Sequence, residues 1–198
     1  QSGAIKAYVG GINFEHFKYD HVSVSKRQVG SAFKPIVYAT ALEYGIDPCA
    51  YYPVKEITYT NQKNWTPTNG GKQETDRHLN YSLEKALSES VNTIAVKVLE
   101  DVGIDAVISQ ARKMGITSVL PEVPSLALGT AEMSMLELIG AYTSFANEGH
   151  VSKPFYITKI EDKFGTIIYE PATTETLPEA FSKETRQLMV EMMKSNMK

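Results

Sequence analysis

The stretch that decides the fold reads Gly30-Ser31-Ala32-Phe33-Lys34-Pro35, and an apolar run over residues 36–42 follows it directly. This pattern predicts a helix over about residues 31–44. Positions i and i+3 of a helix share one face, with Cβ atoms about 5–6 Å apart. A serine becomes a nucleophile when a base lies next to it. Ser31 and Lys34 are therefore predicted to be a nucleophile and its general base, at the mouth of a buried helix.

The Ser-x-x-Lys spacing is not specific by itself, because it recurs at Ser23/Lys26 and at Ser82/Lys85, and context separates these pairs from Ser31/Lys34. Ser23 and Lys26 lie in an alternating segment typical of a strand or loop, where side chains at i and i+3 point to opposite faces. Ser82 and Lys85 indicate a helix N-cap followed by a solvated lysine. Of the three serines, only Ser31 combines a preceding glycine, a following aromatic residue and a long apolar helix.

A second polar pair, Ser90 and Asn92, lies in the predicted break between helices over residues 83–87 and 91–102. The Ser90 hydroxyl can relay a proton, and the Asn92 amide can hydrogen-bond a peptide group. An N-cap role for Ser90 on the second helix is an equally open interpretation. Both interpretations place Ser90 at the end of an element, where a cleft can form.

The composition excludes several classes of function. Of the 198 residues, 42% are hydrophobic and 22% charged, which is typical of a globular domain with one substantial core. The formal net charge of -3 provides no basic surface for a nucleic acid. With a single cysteine and four scattered histidines, the sequence offers no disulfide and no metal-ligand spacing, so neither a metal nor a cofactor is expected.

The remaining pattern predicts a mostly helical α+β architecture. The predicted elements are strands over residues 3–11 and 55–59, a hairpin of residues 155–160 with 166–169, and helices over residues 105–114, 134–147 and 182–198. Ser134 and Glu137 stand at the two positions of a capping box. Residues 46–80 are predicted to form a long loop with short strands, and connections of this length are usually functional.

Both motifs stand in an order and separation that resemble those of the penicillin-binding proteins. Residues 27–38 resemble the nucleophile segment of the class A, bifunctional members, and residues 3–11 resemble the first strand of their transpeptidase domain. Residues 125–130 and 141–147 are similar to further stretches of that domain. The resemblance implies the penicillin-binding transpeptidase or serine β-lactamase-like fold. It makes residues 1–198 the N-terminal portion of the domain, largely its helical part with an incomplete antiparallel sheet.

The resemblance also implies an activity, that of a D,D-transpeptidase that cross-links peptidoglycan stem peptides. Ser31 would be acylated with loss of D-Ala, and β-lactam antibiotics would acylate the same serine. Lys34 would be the general base, Ser90 would relay the proton to the leaving amine, and Asn92 would bind the substrate backbone and Lys34. The N–H of Ser31 would be one oxyanion donor. A working base requires a Lys34 pKa lowered by burial from about 10.4 to near 7.

One motif of the family is absent from this sequence. The Lys-Thr/Ser-Gly motif of a core strand is expected after the last helix, whereas the string Lys163-Phe164-Gly165-Thr166 comes too early, in a hairpin turn. The chain is therefore expected to be truncated, and weak or inactive alone. The parent would be extracytoplasmic, with an upstream glycosyltransferase domain and a membrane anchor. The exposed sheet edge predicts a homo-oligomer or a lost partner fragment.

Two alternatives stay open from the sequence. A D,D-carboxypeptidase or a serine β-lactamase of the same fold would use the same four residues, but a β-lactamase turns penicillin over where a transpeptidase stays acylated. A non-catalytic binding or scaffold module, in which Ser31 caps a helix and Lys34 is a solvated charge, would form no covalent adduct with penicillin.

Overall fold

The computed structural model describes residues 3–70, 76, 78–170 and 176–195, most of them in a helical body. The helices of this part are α1 (Lys34–Glu43), α2 (Leu83–Ser88), α3 (Asn92–Val102), α4 (Ile104–Lys113), α5 (Met135–Ala146) and α6 (Lys183–Ser195). Helix α1 is the centre of the body, because it is buried from Lys34 to Leu42 and packs against α3, α4 and α6. Such burial on all sides is typical of a core helix.

The strands are short and form four separate antiparallel pairs within the described part of the chain. The strands are β1 (Lys26–Gln28), β2 (Tyr51–Pro53), β3 (Asn80–Ser82), β4 (Glu132–Ser134), β5 (His150–Ser152), β6 (Ile160–Glu161), β7 (Ile167–Tyr169) and β8 (Thr176–Glu179). Strand β1 pairs with β4, β2 with β3, β5 with β8 and β6 with β7. The predicted α+β class, with helices dominant, is confirmed.

The helix that carries the first motif begins in two steps. A 3-10 turn, Gly30–Phe33, leads into α1, and Lys34 has helical φ and ψ of -53° and -43° although Pro35 follows it. The proline is tolerated because an N–H in the first turn of a helix has no acceptor within the helix, so no hydrogen bond is lost. The helices predicted over residues 83–87, 91–102, 105–114 and 134–147 are confirmed within a residue or two at each end. The last predicted helix is confirmed to Ser195, and residues 196–198 lie outside the described part.

Two predicted strands are wrong. In the described residues, strand-type pairing of residues 3–11 is limited to one parallel bridge between Ala4 and Phe155. A strand needs a neighbour along its length, which an alternating sequence pattern does not supply. The stretch 55–59 is also irregular, except for a bridge between Tyr59 and Trp65.

A buried lysine holds the chain where it leaves β2. Lys97 of α3 donates from Nζ to the carbonyl oxygens of Pro53 and Lys55, both at 2.6 Å. Pro53 is the last residue of β2 and Lys55 lies two residues beyond it, so the Lys97 side chain fixes the chain just where the β2–β3 pair ends. Residues 71–75 and 77 of the predicted loop lie outside the described part.

The predicted hairpin is present but shorter than predicted. Only Ile160–Glu161 and Ile167–Tyr169 pair, and the Asp162 carboxylate accepts hydrogen bonds from Phe164 N and Thr166 N across the turn. The Lys163-Phe164-Gly165-Thr166 string therefore belongs to a turn, as predicted. No helix within the described residues combines the length and apolar character needed to cross a bilayer.

Only half of the predicted capping box forms. Ser134 Oγ accepts from Glu137 N at 3.2 Å, as the motif requires. The Glu137 carboxylate turns instead to Thr117 and Ser118, and accepts from both backbone N–H groups and both hydroxyls. Burial alone would raise the pKa of Glu137, but these hydrogen bonds more than offset it and the pKa is lowered. The carboxylate thus ties α5 to the loop after α4.

Candidate active site

Ser31 and Lys34 differ sharply in exposure although they are one turn apart. The side chain of Ser31 is exposed, whereas Lys34 is only 1% exposed. Gly30 precedes them with φ of +57°, a left-handed conformation that glycine adopts without strain. Among the described residues, neither the Oγ nor the backbone N–H of Ser31 has a hydrogen-bond partner. Ser31 therefore has a free hydroxyl and a free N–H at the surface, beside a buried amine.

A close backbone contact holds the turn that carries Ser31. Gly30 N donates to Gly129 O at 3.0 Å, and a Cβ on Gly129 would lie 1.9 Å from Gly30 O. Gly129 also has φ of +73°. Only glycine fits at this position, for both reasons. No local pattern predicts that residues 30 and 129 meet.

A tyrosine from α5 holds the same turn from another side. Tyr142 Oη donates to the carbonyl oxygen of Ala32 at 2.7 Å. Burial raises the pKa of Tyr142 to about 12, so the hydroxyl stays protonated and keeps donating at any physiological pH. The ring packs edge-on against Phe145, with centroids 5.5 Å apart. No local pattern predicts this role of Tyr142, since its contact with Ala32 spans 110 residues.

Three of the four predicted site residues meet around one nitrogen. Lys34 Nζ donates to Ser90 Oγ at 2.9 Å, to Asn92 Oδ1 at 2.7 Å and to the backbone carbonyl oxygen of Ser90. Burial lowers the pKa of Lys34 to about 8. A value near neutral allows a substantial fraction of neutral amine, which a general base must have.

Ser90 does not cap α3, so the capping interpretation of this residue is wrong. The N-cap position belongs to Val91, and no side chain of the N-cap residue closes the helix end. Ser90 instead has φ of +54°, a left-handed conformation that costs a non-glycine residue roughly 1–2 kcal/mol. This backbone turn directs both the carbonyl oxygen and the hydroxyl of Ser90 to Lys34. Strained residues of this kind concentrate at functional sites.

The partners of Lys34 determine what the amine can do when it loses a proton. An ammonium has three N–H donors, and Lys34 Nζ has three acceptors here. The carbonyl oxygens of Ser90 and of the Asn92 side chain cannot donate, so they keep the two N–H groups of the neutral amine. The lone pair that replaces the third N–H can accept a proton from a hydroxyl, either that of Ser31 or that of Ser90, and the Ser90 hydroxyl can reverse from acceptor to donor. The arrangement is suited to passing a proton between a lysine and a serine.

The serines of the Ser23/Lys26 and Ser82/Lys85 pairs have structural roles, as predicted. Ser23 lies in a turn and donates from Oγ to Asp20 Oδ2 at 2.7 Å. Ser82 Oγ accepts from Lys85 N at 3.2 Å as the N-cap of α2. The Lys85 ammonium lies over the Tyr81 ring, 3.7 Å from its centroid. Within the described part of the chain, no group of three or more His, Cys, Asp or Glu residues is arranged to hold a metal ion.

Comparison with known proteins gives consistent matches over nearly the whole chain. The family model described as penicillin binding protein transpeptidase domain matches residues 1–198. Penicillin-binding protein 1A of Aquifex aeolicus is 36% identical over 200 residues, which cover 98% of this chain and 26% of that protein. This chain therefore spans about a quarter of the length of that curated relative.

Solved structures give the same match at the level of the fold. The crystal structure of penicillin-binding protein 1A from Haemophilus influenzae superposes with a TM-score of 0.84 at 27% identity, over 95% of this chain and 32% of that one. A penicillin G acyl-enzyme complex of penicillin-binding protein A from M. tuberculosis has a TM-score of 0.80 at 20% identity, over 89% of this chain and 45% of that one. The second likeness is one of fold alone.

Proposed function

We propose, because this chain belongs to the family of penicillin-binding protein transpeptidase domains, that it supplies the acyl-transfer residues of a peptidoglycan D,D-transpeptidase. The observation that carries the proposal is the buried Lys34 amine, hydrogen-bonded to Ser90 and Asn92 and one turn from the exposed Ser31. A solvated lysine, as the scaffold alternative requires, would have neither the burial nor the partners.

Ser31 is the nucleophile in this proposal. Its Oγ attacks the carbonyl carbon of the penultimate D-Ala of a stem peptide, while Lys34 Nζ takes the hydroxyl proton. The negative charge that develops on the carbonyl oxygen is stabilised by the free N–H of Ser31. Asn92 hydrogen-bonds the substrate backbone and holds Lys34.

Collapse of this tetrahedral intermediate breaks the peptide bond and leaves an ester on Ser31. The terminal D-Ala departs as an amine, and the proton held by Lys34 reaches it through the Ser90 hydroxyl. An acceptor amine from a second stem peptide then attacks the ester, and the same groups move its proton in reverse. The two half-reactions form one new peptide bond for each bond broken.

The remaining partners follow from the same proposal. A β-lactam presents a strained amide that Ser31 opens to a long-lived ester, which accords with the penicillin G acyl-enzyme of the M. tuberculosis relative. Residues 1–198 are proposed to be the N-terminal portion of a transpeptidase domain, in a larger protein anchored at the extracytoplasmic face of a membrane. The relative from Aquifex aeolicus is about four times as long as the matched region.

Labelling with a fluorescent penicillin tests this function. The chain, and a version that continues past Lys198, are incubated with the penicillin and examined for covalent label, beside Ser31→Ala and the matched control Ser23→Ala. We expect stable label on the longer wild type and on the longer Ser23→Ala, slower label on the chain that ends at Lys198, and none on Ser31→Ala at either length. Label that disappears with turnover would indicate a β-lactamase. Equal label on Ser31→Ala, or no label on either wild-type length, would refute the proposal.

A further inference from the structure

Two residues of the loop after β2 hold the start of α3. Thr68 O accepts from Asn92 Nδ2 at 2.8 Å, and Asn69 Oδ1 accepts from Thr93 N at 3.0 Å. Asn69 Nδ2 donates to Thr93 Oγ1 at 3.0 Å and to Val54 O at 3.3 Å. We call Thr68 and Asn69 the clip.

The clip replaces the missing cap of α3. The first N–H groups of a helix have no partner inside it, and a side chain at the N-cap position usually accepts from one of them. Val91 cannot do so, and Asn69 Oδ1 accepts from Thr93 N in its place. Thr93 Oγ1 in turn donates to the buried Val54 O at 2.9 Å. Three hydrogen bonds therefore join the helix start to the clip directly, two between Asn69 and Thr93 and one from Asn92 to Thr68. Val54 O accepts from both Asn69 and Thr93 and links them further.

The same contact decides which end of the Asn92 amide faces Lys34. A side-chain amide has one accepting end and one donating end. Thr68 O can only accept, so the donating Nδ2 end of Asn92 faces the clip and Oδ1 faces Lys34 Nζ at 2.7 Å. The reverse orientation would place two carbonyl oxygens together and an NH2 group against an ammonium. Both contacts would be repulsive.

We propose that Asn69 is a positioning residue for acyl transfer, which holds the clip against α3 so that the Asn92 amide keeps its oxygen on Lys34. This inference rests on the proposed function of Ser31, Lys34, Ser90 and Asn92. Asn69 itself contacts neither Lys34 nor Ser90 by a hydrogen bond in the described residues. Its effect on the reaction passes through Asn92.

Asn69→Ala is the test, with Thr58→Val as the matched control. Thr58 Oγ1 bonds Thr66 Oγ1 at 2.9 Å, so the control removes an exposed hydrogen bond of the same loop that does not lead to Asn92. Two quantities are measured on each protein. One is the rate of penicillin acylation on the plateau at high pH, where Lys34 is fully neutral. The other is the titration midpoint of Lys34, followed by ¹³C NMR of its Cε.

We expect the acylation plateau of Asn69→Ala to fall about 10-fold, as the loss of a hydrogen bond to a charged or reacting group does. We also expect the Lys34 midpoint to move down by about 1 pH unit, because the ammonium loses an oxygen acceptor. Simple loosening of the site would admit water and move the midpoint up instead. An upward move, or no move in a folded variant, would overturn the inference.

A second variant covers the case in which Asn69→Ala does not fold. Asn69→Ser keeps a hydroxyl that can cap Thr93 N but has no second group to reach Val54 O, and the same downward move at smaller amplitude is expected. The NMR titration needs no acylation, so it judges the clip separately from the reaction. If penicillin does not acylate Ser31 in the wild type, the proposed function is refuted. If the Lys34 midpoint is unchanged in both variants, the proposed role of the clip is refuted.

Discussion

Acylation of Ser31 should rise with pH through a single step near pH 8. Burial lowers the pKa of Lys34 from 10.5 to about 8, and only the neutral amine can take the Ser31 proton. At pH 7, a group with a pKa of about 8 is roughly one-tenth neutral. With a pKa of 10.5 the neutral fraction would be about 0.0003, so burial raises the concentration of active base about 300-fold. The rate should therefore increase about tenfold from pH 6 to pH 7 and level off above pH 9.

The assay is a time course of fluorescent penicillin labelling from pH 6 to pH 10, at a penicillin concentration that saturates the site. In Lys34→Arg the step should vanish, since a guanidinium does not lose its proton in a protein. Lys97→Arg is the matched control, because Lys97 is also a buried lysine whose pKa burial lowers. Its hydrogen bonds run to Pro53 and Lys55 rather than to the site, so the step should stay near pH 8.

The reasoning would be refuted by a midpoint near 10.5, which would mean that Lys34 is hydrated in solution. It would also be refuted if Lys34→Arg kept the step, because another group would then be the base. Loss of the step in Lys97→Arg, or a shift of its midpoint by a pH unit or more, would show that the step reports the general stability of the fold rather than the ionisation of Lys34.

Three further changes have definite expected results. Gly129→Ala should lower the acylation rate by a factor of 100 or more, on the order of 3 kcal/mol, whereas Gly45→Ala, with φ of +82° but open space around it, should cost only about 1 kcal/mol of stability. Tyr142→Phe should slow acylation about 5-fold at unchanged penicillin affinity, because it loses one hydrogen bond of about 1 kcal/mol and keeps its ring. Glu137→Gln should lower the free energy of unfolding in urea at pH 7 by about 1–2 kcal/mol and flatten its dependence on acid. Because the pKa of Glu137 is lowered in the folded protein, its carboxylate contributes stability at a pH above the pKa of the unfolded state. This stability is lost as the pH falls through the pKa of the folded state.

Each of these results has a clear contradiction. Equal losses of acylation in the two glycine variants would mean that the contact between residues 30 and 129 does not position the nucleophile. A change of penicillin affinity without a change of rate in Tyr142→Phe would place the tyrosine at the ligand instead of the Ser31 turn. Identical acid unfolding curves for wild type and Glu137→Gln would mean that the hydrogen bonds to Thr117 and Ser118 do not hold a charged group.

The placement of Ser31 and Lys34 was predictable because its signals are local. Ser31 and Lys34 lie within one turn, and the apolar run after them is enough to predict a buried helix. The burial of Lys34, on which its lowered pKa depends, follows from that run. The contact of Lys34 with Ser90 and Asn92 spans 56 and 58 residues, and no local pattern predicts it. It was expected only from the resemblance to a family.

The residues that position the site were not predictable from local patterns. Gly129, Tyr142 and Asn69 act through contacts with residues far away in sequence, and each looks ordinary in its own segment. The left-handed backbone of Ser90 was also missed, since a serine before a helix is most often its cap. The strand predicted over residues 3–11 failed for the opposite reason. Its local pattern is correct for a strand, but strand formation depends on a neighbour that the pattern does not contain.

The most direct test of the central claim is to locate the penicillin adduct in the chain. Trypsin cuts after Arg27 and, because Pro35 blocks cleavage after Lys34, next after Lys55, so one peptide covers residues 28–55 and contains Ser31 as its only serine. Fragmentation of this peptide from penicillin-treated protein should place the added mass on Ser31. An adduct on a different peptide, or on another residue of residues 28–55, would contradict the assignment of Ser31 as the nucleophile.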